Sequence, residues 1–285
     1  MRTYLAAAFF LLAVLPAGVV PASPAQEDDA RMAAGHAHDT PVATPAATTP
    51  PTQPVVAEAV EYATVDGKPV TGWLARPKDA RPGLPGLIVI HEWWGLNDNV
   101  RDEAERLAAE GYVALAVDLY QGRSASDVKS AMPLSQGLTA NPAPGEENLR
   151  QAYAYLLKST GAERIGSIGW CLGGRWSLRA ALVLPKDLDA AVIYYGSVNV
   201  PEADLAPLTM PVIGFFGTKD PVIPLPTVAA FEANMRKLGK DVEVHVYEGA
   251  QHAFANPSGT SYEPVAAEDS WRRTLAFLGK HLKGN

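Results

Sequence analysis

The chain holds very little cysteine: Cys171 is the single thiol among 285 residues. One thiol cannot close an intrachain disulfide, so the fold must be stable without covalent cross-links. Hydrophobic residues make up 47% of the chain and charged residues 19%, a balance typical of a globular protein with a sizeable core. In an oxidising compartment, where thiols usually pair, a lone cysteine is expected to be either inert or reactive.

Nucleotide-binding motifs and an excess of basic charge are also missing. The stretch GWCLGGR is not followed by the Lys-Ser/Thr of a phosphate loop, and no G-x-G-x-x-G opens a helix. Acidic residues outnumber basic ones by 31 to 24, which argues against nucleic acid or an anionic membrane surface as a partner. We therefore expect no cofactor and a small-molecule substrate.

Long hydrophobic runs occur only at the amino terminus. Arg2 precedes the apolar run YLAAAFFLLAVLPAGVV, and small residues follow it up to Ala25. These features predict a signal peptide over residues 1–25 and export to the periplasm or the medium, with no membrane attachment after cleavage. An uncleaved anchor is the alternative, whereas a lipoprotein anchor is unsupported because no cysteine follows the small residues.

Residues 26–57 are rich in Pro, Ala and Thr and show no hydrophobic period. This composition predicts a disordered linker. The motif HAHD at 36–39 offers two imidazoles and a carboxylate to a metal ion, but ligands on an unstructured backbone rarely form a functional site. We therefore expect no metal centre in this protein.

Residues 58–285 are regular and predict one catalytic domain, expected to be a monomer. Two alternating segments, VEYATVDG and VTGWLARP, indicate an antiparallel pair of strands. Short, continuously apolar runs alternate with amphipathic stretches, which predicts a mostly parallel sheet with helices on both faces, the α/β class. The strand-like runs are GLIVIHE, YVALAVDLY, RIGSIGW, AAVIYYG and PVIGFFGTKD.

Cys171 lies in a glycine-rich turn between a predicted strand and a predicted helix. Glycines occupy positions 169, 173 and 174, which is the pattern of the nucleophile elbow G-x-S-x-G with cysteine in place of serine. The alternative is a buried cysteine that merely fills space, but interior glycines weaken an element unless its backbone needs them. The pattern therefore favours a reactive thiol.

A thiol needs a base, and the chain has six histidines. His36 and His38 lie in the predicted linker, His245 in a strand and His281 on the last helix, which leaves His91 and His252. His252 lies in a loop after the last strand, and Asp220 follows the strand PVIGFF. The order Cys171, Asp220, His252 is that of α/β-hydrolase triads, although Asp220 alone also suits a turn and His252 alone a surface loop.

Five stretches carry a family resemblance: VIHEWWGLN, DLYQGR, GWCLGG, GTKDPVIP and GAQHAF. From residue 58 to the carboxyl terminus the chain resembles the dienelactone hydrolase family of α/β-hydrolases. The resemblance implies Cys171 as nucleophile, His252 as base and Asp220 as the partner of that base. It also implies that Glu92 holds the resting thiol; the alternative is an acid of a first helical turn or a surface loop.

An oxyanion hole is expected from two backbone N–H groups, that of Leu172 at the elbow and, by the resemblance, that of Trp93. Trp93 and Trp94 are expected to line an apolar pocket, and Trp170 and Trp176 to pack in the core.

The substrate contacts depart from the family pattern. Its best-known members bind a carboxylate with two arginines; Arg123 matches the first with one residue inserted, and Asn256 replaces the second. An asparagine cannot form the charged clamp of an arginine, and a loop arginine such as Arg123 can be an ordinary surface charge. The sequence therefore predicts a hydrolase that acts through a thioester on the wider class of lactones and carboxylic esters.

Two other functions stay open at this stage. An exposed thiol of low pKa could reduce peroxide or sense oxidants, although no second cysteine is present to resolve the product. Alternatively, a hydrolase fold could bind a ligand without catalysis. Ester turnover distinguishes both alternatives from the hydrolase.

Overall fold

The computed structural model describes residues 24–36 and 50–284. An eight-stranded sheet runs through the centre of this part of the chain. The strands are β1 (Val55–Val65), β2 (Lys68–Pro77), β3 (Gly86–Ile90), β4 (Val113–Val117), β5 (Ile165–Trp170), β6 (Ala190–Tyr194), β7 (Val212–Gly217) and β8 (Val242–Tyr247).

Helices connect most of the strands. They are α1 (Pro24–Gly35), α2 (Asp98–Ala109), α3 (Val128–Ala140), α4 (Ala143–Ser159), α5 (Leu172–Val183), α6 (Glu202–Leu205), α7 (Leu225–Lys237) and α8 (Pro264–Leu278), followed by a π-helical turn, Gly279–Lys283. Within the described ranges, no helix combines the length and apolarity that a membrane crossing requires.

The strand order is β1-β2-β4-β3-β5-β6-β7-β8. β1 and β2 form an antiparallel hairpin that joins β4 antiparallel, and all strands from β4 to β8 pair in parallel. Every residue of β3 through β7 is buried, so both faces of these strands must be covered. The predicted α/β class, with its antiparallel edge pair and parallel centre, is confirmed.

Local sequence signals set the helix boundaries. In α2, the side chain of Asn97 accepts a hydrogen bond from the N–H of Val100 (3.3 Å) and caps the helix start. Its buried residues, Val100, Ala104, Leu107 and Ala108, share one face. Gly111, with φ of 88°, follows the helix end, a conformation that favours glycine. The amphipathic pattern therefore places α2 against the sheet.

Several elements differ from the sequence-based expectation. The helix α1 lies in a segment expected to be an unstructured linker, and β1 begins at Val55, three residues before the predicted domain start. The sequence of α1 has no apolar periodicity from which a helix could be predicted. Like many short helices, α1 is stabilised by the surface on which it packs. α3 was not predicted either, because Pro133 and Gly137 lie within it. The predicted signal peptide falls almost entirely on residues 1–23, outside the described residues, and stays a prediction.

Candidate active site

Cys171 forms the sharp turn between β5 and α5. Its backbone has φ 56° and ψ −117°, a left-handed conformation that a side chain rarely adopts and that costs free energy. Its N–H donates to the carbonyl of Tyr194 at 3.0 Å, which fixes the turn to the neighbouring strand. Strain of this kind is typical of a nucleophile elbow, where it lifts the reactive side chain above the sheet.

The glycines around Cys171 are required by close backbone packing. A Cβ on Gly169 would lie 2.2 Å from the carbonyl oxygen of Gly173, and a Cβ on Gly173 would lie 2.2 Å from that of Ile90. A Cβ on Gly174 would lie 2.5 Å from the carbonyl oxygen of Tyr194. Since these neighbours are backbone atoms, no side-chain rotation relieves the clash.

We expect Gly173→Ala to lower the free energy of unfolding by about 3 kcal/mol or more, because strand β3 must shift to admit the methyl group. Thermal unfolding followed by circular dichroism measures the loss. Gly137→Ala is the matched control: nothing lies within 4 Å of its added Cβ, and alanine favours the interior of α3, so stability should stay level or rise by up to about 1 kcal/mol. Equal midpoints for the two variants would contradict the packing argument.

The Cys171 thiol is held in its neutral form. The side chain is 1% exposed, and burial, followed by the negative charge of Glu92, raises the pKa of Cys171 well above its ordinary value. The N–H of Leu172 acts in the opposite direction, because its hydrogen bond to the sulfur lowers the pKa. That N–H therefore points at the reactive atom from the first turn of α5, where an oxyanion donor is needed.

His252 and Asp220 form a buried hydrogen-bonded pair. His252 Nδ1 lies 2.8 Å from Asp220 Oδ2, and Asp220 Oδ1 accepts hydrogen bonds from the N–H groups of Val222 (2.7 Å) and Ile223 (2.9 Å). These bonds fix the carboxylate, which in turn holds the proton of the imidazole on Nδ1. Nε2 of His252 is buried and has no hydrogen-bond partner among the described residues. It is therefore available as a base.

Glu92 lies in the turn after β3, and Asn256 binds it. Asn256 Nδ2 donates to Glu92 Oε2 at 2.9 Å, and both side chains border a small cavity together with Cys171. Asn256 was predicted to contact substrate; in this structure its amide group holds the carboxylate that faces the thiol.

The four tryptophans predicted near the site lie in two places in the structure. Trp93 and Trp94 lie 4.9 Å apart between ring centroids and line the same small cavity as Cys171. Trp170 and Trp176 are buried in the core, and Trp176 packs so closely on α4 that a Cβ on Gly145 would lie 2.5 Å from its ring.

Arg123 is exposed and lies outside the lining of that cavity. Its Nε donates to the carbonyl oxygen of Tyr120 at 3.1 Å, so the guanidinium is tied to its own loop. His91, the other histidine left open by the sequence, has a structural position: its Nε2 accepts from the N–H of Leu119 at 3.1 Å and joins the ends of β3 and β4. Burial lowers the pKa of His91, which suits a neutral acceptor.

Met32 of α1 and His36, the residue after that helix, reach the active site, and neither was predicted to lie there. Met32 Sδ lies 3.5 Å from Cys171 Sγ, and His36 Nε2 lies 3.9 Å from the same sulfur. The His36 ring packs edge-on against His252 with centroids 5.1 Å apart, and Arg31 Nε donates to the carbonyl of Val222 at 3.1 Å. His36, predicted to lie in an unstructured linker, therefore follows a helix and contacts the thiol in this structure, whereas His38 lies outside the described residues.

We expect Met32→Lys to expose Cys171, because a buried ammonium is drawn to water and would pull α1 away from its contact with the sulfur. Alkylation by iodoacetamide should be slow in the wild type at neutral pH, rise with pH as the raised pKa of Cys171 is approached, and become several-fold faster in the variant. Ala34→Lys is the control, since Ala34 is on the exposed side of α1. Equal alkylation rates in all three proteins would mean that α1 does not shield the thiol.

Comparison with known proteins places this site in a family. The sequence model of the dienelactone hydrolase family matches residues 70–282. "Protein usf" of Aquifex pyrophilus is 34% identical over 224 residues, covering 76% of this chain and 96% of its own. A protein of Saccharolobus solfataricus, provisionally named a carboxymethylenebutenolidase, is 34% identical over 256 residues with the same coverage.

A crystal structure gives the same result. A protein of Klebsiella pneumoniae, provisionally described as a dienelactone hydrolase, superposes with a TM-score of 0.72 at 31% identity and covers 80% of this chain and 100% of its own. The family match includes the strand ends that carry Glu92, Cys171, Asp220 and His252. We conclude that the chain belongs to the dienelactone hydrolase family of α/β-hydrolases and is a hydrolase of the carboxylic ester or lactone class.

Proposed function

We propose that this protein hydrolyses carboxylic esters or lactones through a thioester on Cys171, with His252 as base and Asp220 as the partner of that base. The observation that carries the proposal is the pairing of an elbow cysteine with a histidine whose Nδ1 is held by a buried carboxylate at 2.8 Å. A ring nitrogen of His252 lies within 4.8 Å of the cysteine sulfur, and the two groups have to come into hydrogen-bond contact for the proton to pass.

In the first half of the reaction, His252 Nε2 takes the thiol proton and the Cys171 sulfur attacks the carbonyl carbon. The N–H of Leu172 and, in our proposal, that of Trp93 stabilise the resulting oxyanion. The intermediate collapses to a thioester as the bond to the alkoxy oxygen breaks, and that oxygen takes the proton from His252. An ester releases its alcohol at this point, whereas an opened lactone keeps its new hydroxyl on the bound acyl group.

In the second half, a water molecule attacks the thioester carbonyl while His252 takes its proton. The thiolate leaves, the acid is released, and the proton returns from His252 to Cys171. Glu92 is proposed to hold the resting thiol and to give way when substrate enters. The negative charge of Glu92, which helps to raise the pKa of the Cys171 thiol, supports this role, and the hydrogen bond from Asn256 fixes the carboxylate at the cavity that Cys171 borders.

The charge of the site supports an uncharged substrate. Glu92 lies beside the thiol, Asn256 contributes an amide instead of a guanidinium, and Arg123 is tied to Tyr120 outside the cavity. A carboxylate in the substrate would face Glu92 without the pair of cations that it needs. We therefore propose neutral esters and lactones, cleaved by an exported, monomeric enzyme.

A thiol peroxidase is the less favoured reading of the same residues. Peroxide-reactive cysteines have a low pKa and are accessible, whereas Cys171 is buried and burial raises its pKa. The hydrolase mechanism needs no resting thiolate, because His252 supplies the base when substrate is bound.

Trapping the acyl-enzyme tests the proposal. The protein is mixed with excess 4-nitrophenyl acetate, quenched in acid within one turnover and analysed by mass spectrometry. We expect one acetyl group per chain, mapped to the peptide that contains Cys171 and released by hydroxylamine. An unsaturated lactone and hydrogen peroxide serve as comparison substrates. Turnover without any adduct on Cys171, or consumption of peroxide without turnover of esters, would overturn the proposal.

A further inference from the structure

Three metal-ligating side chains meet beneath α1. Cys171 Sγ and one ring nitrogen each of His36 and His252 lie within 4.8 Å of one another, and all three residues are buried. The ligand atoms of a tetrahedral zinc site lie about 3.3–3.8 Å apart, given Zn–N and Zn–S bonds of about 2.1 and 2.3 Å. The 3.9 Å between Cys171 Sγ and His36 Nε2 is already close to this range, and the longest separation must shorten by about 1 Å.

A second observation points to a ligand at the same place. Nε2 of His252 is buried without a hydrogen-bond partner in the described part of the chain, an unusual state for an imidazole nitrogen. Asp220 holds the opposite nitrogen at 2.8 Å. A carboxylate that orients a histidine in this way is the usual support of a histidine ligand in zinc sites, because it fixes the ring and makes the free nitrogen more basic.

We propose that Cys171, His252 and His36 form a binding site for Zn²⁺, closed by α1. A thiolate and two imidazoles are the ligand types that zinc prefers, and they discriminate against Mg²⁺ and Ca²⁺, which prefer oxygen. Three protein ligands leave a fourth position, which zinc usually fills with water. The small cavity that both His36 and Cys171 border provides room on that side of the sulfur.

The surrounding charges suit a dication. Glu92 and Asp220 act electrostatically on the Cys171 sulfur, and Arg175 opposes them more weakly, so two carboxylates and one thiolate would outweigh one guanidinium around a charge of +2. Met32 Sδ, 3.5 Å from Cys171 Sγ, adds a soft neighbour on the α1 side. Of the motif HAHD, only His36 is needed.

Zinc would connect the amino-terminal helix to the catalytic residues. When the zinc–sulfur bond forms, the thiol proton passes to solvent, and the lone pairs of Cys171 Sγ and His252 Nε2 are both engaged by the ion. Because His36 belongs to the segment that covers the thiol, the same ion would fasten α1 over the cleft. The loaded protein would be unable to hydrolyse esters, and removal of zinc would restore turnover. Only this inhibition rests on the proposed function; the binding does not.

A cobalt titration tests the site without using activity. The purified full chain, treated with chelator and kept reduced by a phosphine, is titrated with Co²⁺ and then with Zn²⁺. We expect the visible bands of tetrahedral cobalt and a thiolate-to-cobalt charge-transfer band, both saturating at one ion per chain and lost when zinc displaces cobalt. Cys171→Ala should lose the charge-transfer band altogether.

Variants at the two amino-terminal histidines separate this site from adventitious binding. His36→Ala should bind cobalt at least about 100-fold more weakly, since even the loss of a group that supports a ligand costs about 10- to 100-fold. His38→Ala removes the neighbouring imidazole of the same motif and should bind like the wild type. Absence of the charge-transfer band in the wild type, or equal affinity in His36→Ala and the wild type, would overturn the proposal. The bands are measured without substrate. The titration therefore tests metal binding even if the protein proves not to hydrolyse esters.

Discussion

Replacing Cys171 by alanine is expected to lower kcat for ester hydrolysis on the order of 10⁵- to 10⁶-fold. Loss of the nucleophile from a triad has an effect of this size, because the remaining base and oxyanion donors then act only on water. The two N–H donors and the His252–Asp220 pair stay in place in the variant, so the small residual rate measures their contribution. Initial rates with a 4-nitrophenyl ester, measured at saturating substrate, report the change.

Ser177→Ala is the matched control for that experiment. Ser177 lies on α5 six residues after Cys171, and its hydroxyl is buried against Ser167 at 2.8 Å. A seryl nucleophile would be the obvious alternative to a cysteinyl one in this fold, yet this hydroxyl faces the interior and touches no triad residue. Its removal should leave kcat within about two-fold of the wild type and cost about 1 kcal/mol of stability. Comparable loss of activity in both variants would show that Cys171 is not the nucleophile.

Much of the fold was predictable because its signals are local. A run such as YVALAVDLY identifies a strand buried on both faces without reference to any other segment, and the glycines at 169, 173 and 174 mark the elbow within three residues of Cys171. Asp220 and His252 could be proposed because each follows a strand, and the ends of parallel strands meet at one edge of a sheet. Most of the architecture could therefore be predicted from short-range sequence patterns.

The contacts that were missed are those between residues far apart in the chain. His36 and Cys171 are separated by 135 positions, and Glu92 and Asn256 by 164. Nothing near His36 signals a buried environment, since α1 has no apolar period and gains its order from the surface that it covers. From the sequence, Asn256 was considered only as the residue that replaces an arginine. The structure shows that its amide group donates a hydrogen bond to Glu92.

Asp220→Asn is expected to lower kcat by about 10³- to 10⁴-fold while leaving the fold intact. Asparagine has the same shape, and its amide oxygen can still accept the N–H groups of Val222 and Ile223. Its NH₂ group then faces His252 Nδ1, which must become an acceptor. The imidazole proton moves to Nε2, and the atom that should take the thiol proton already carries one. The variant should therefore bind substrate with little change in KM but transfer the proton poorly.

Asp189, the residue before β6, provides a comparison with a second carboxylate. Asp189 Oδ2 accepts the N–H of Ile165 at 2.8 Å, at the opposite end of β5 from Cys171. Asp189→Asn removes one negative charge and keeps a backbone hydrogen bond, as Asp220→Asn does, but it has no histidine to orient. Turnover by Asp189→Asn should match the wild type. If Asp220→Asn also kept full kcat, the tautomer of His252 would not depend on Asp220. The 2.8 Å contact between His252 Nδ1 and Asp220 Oδ2 would then support the loop and have no part in catalysis.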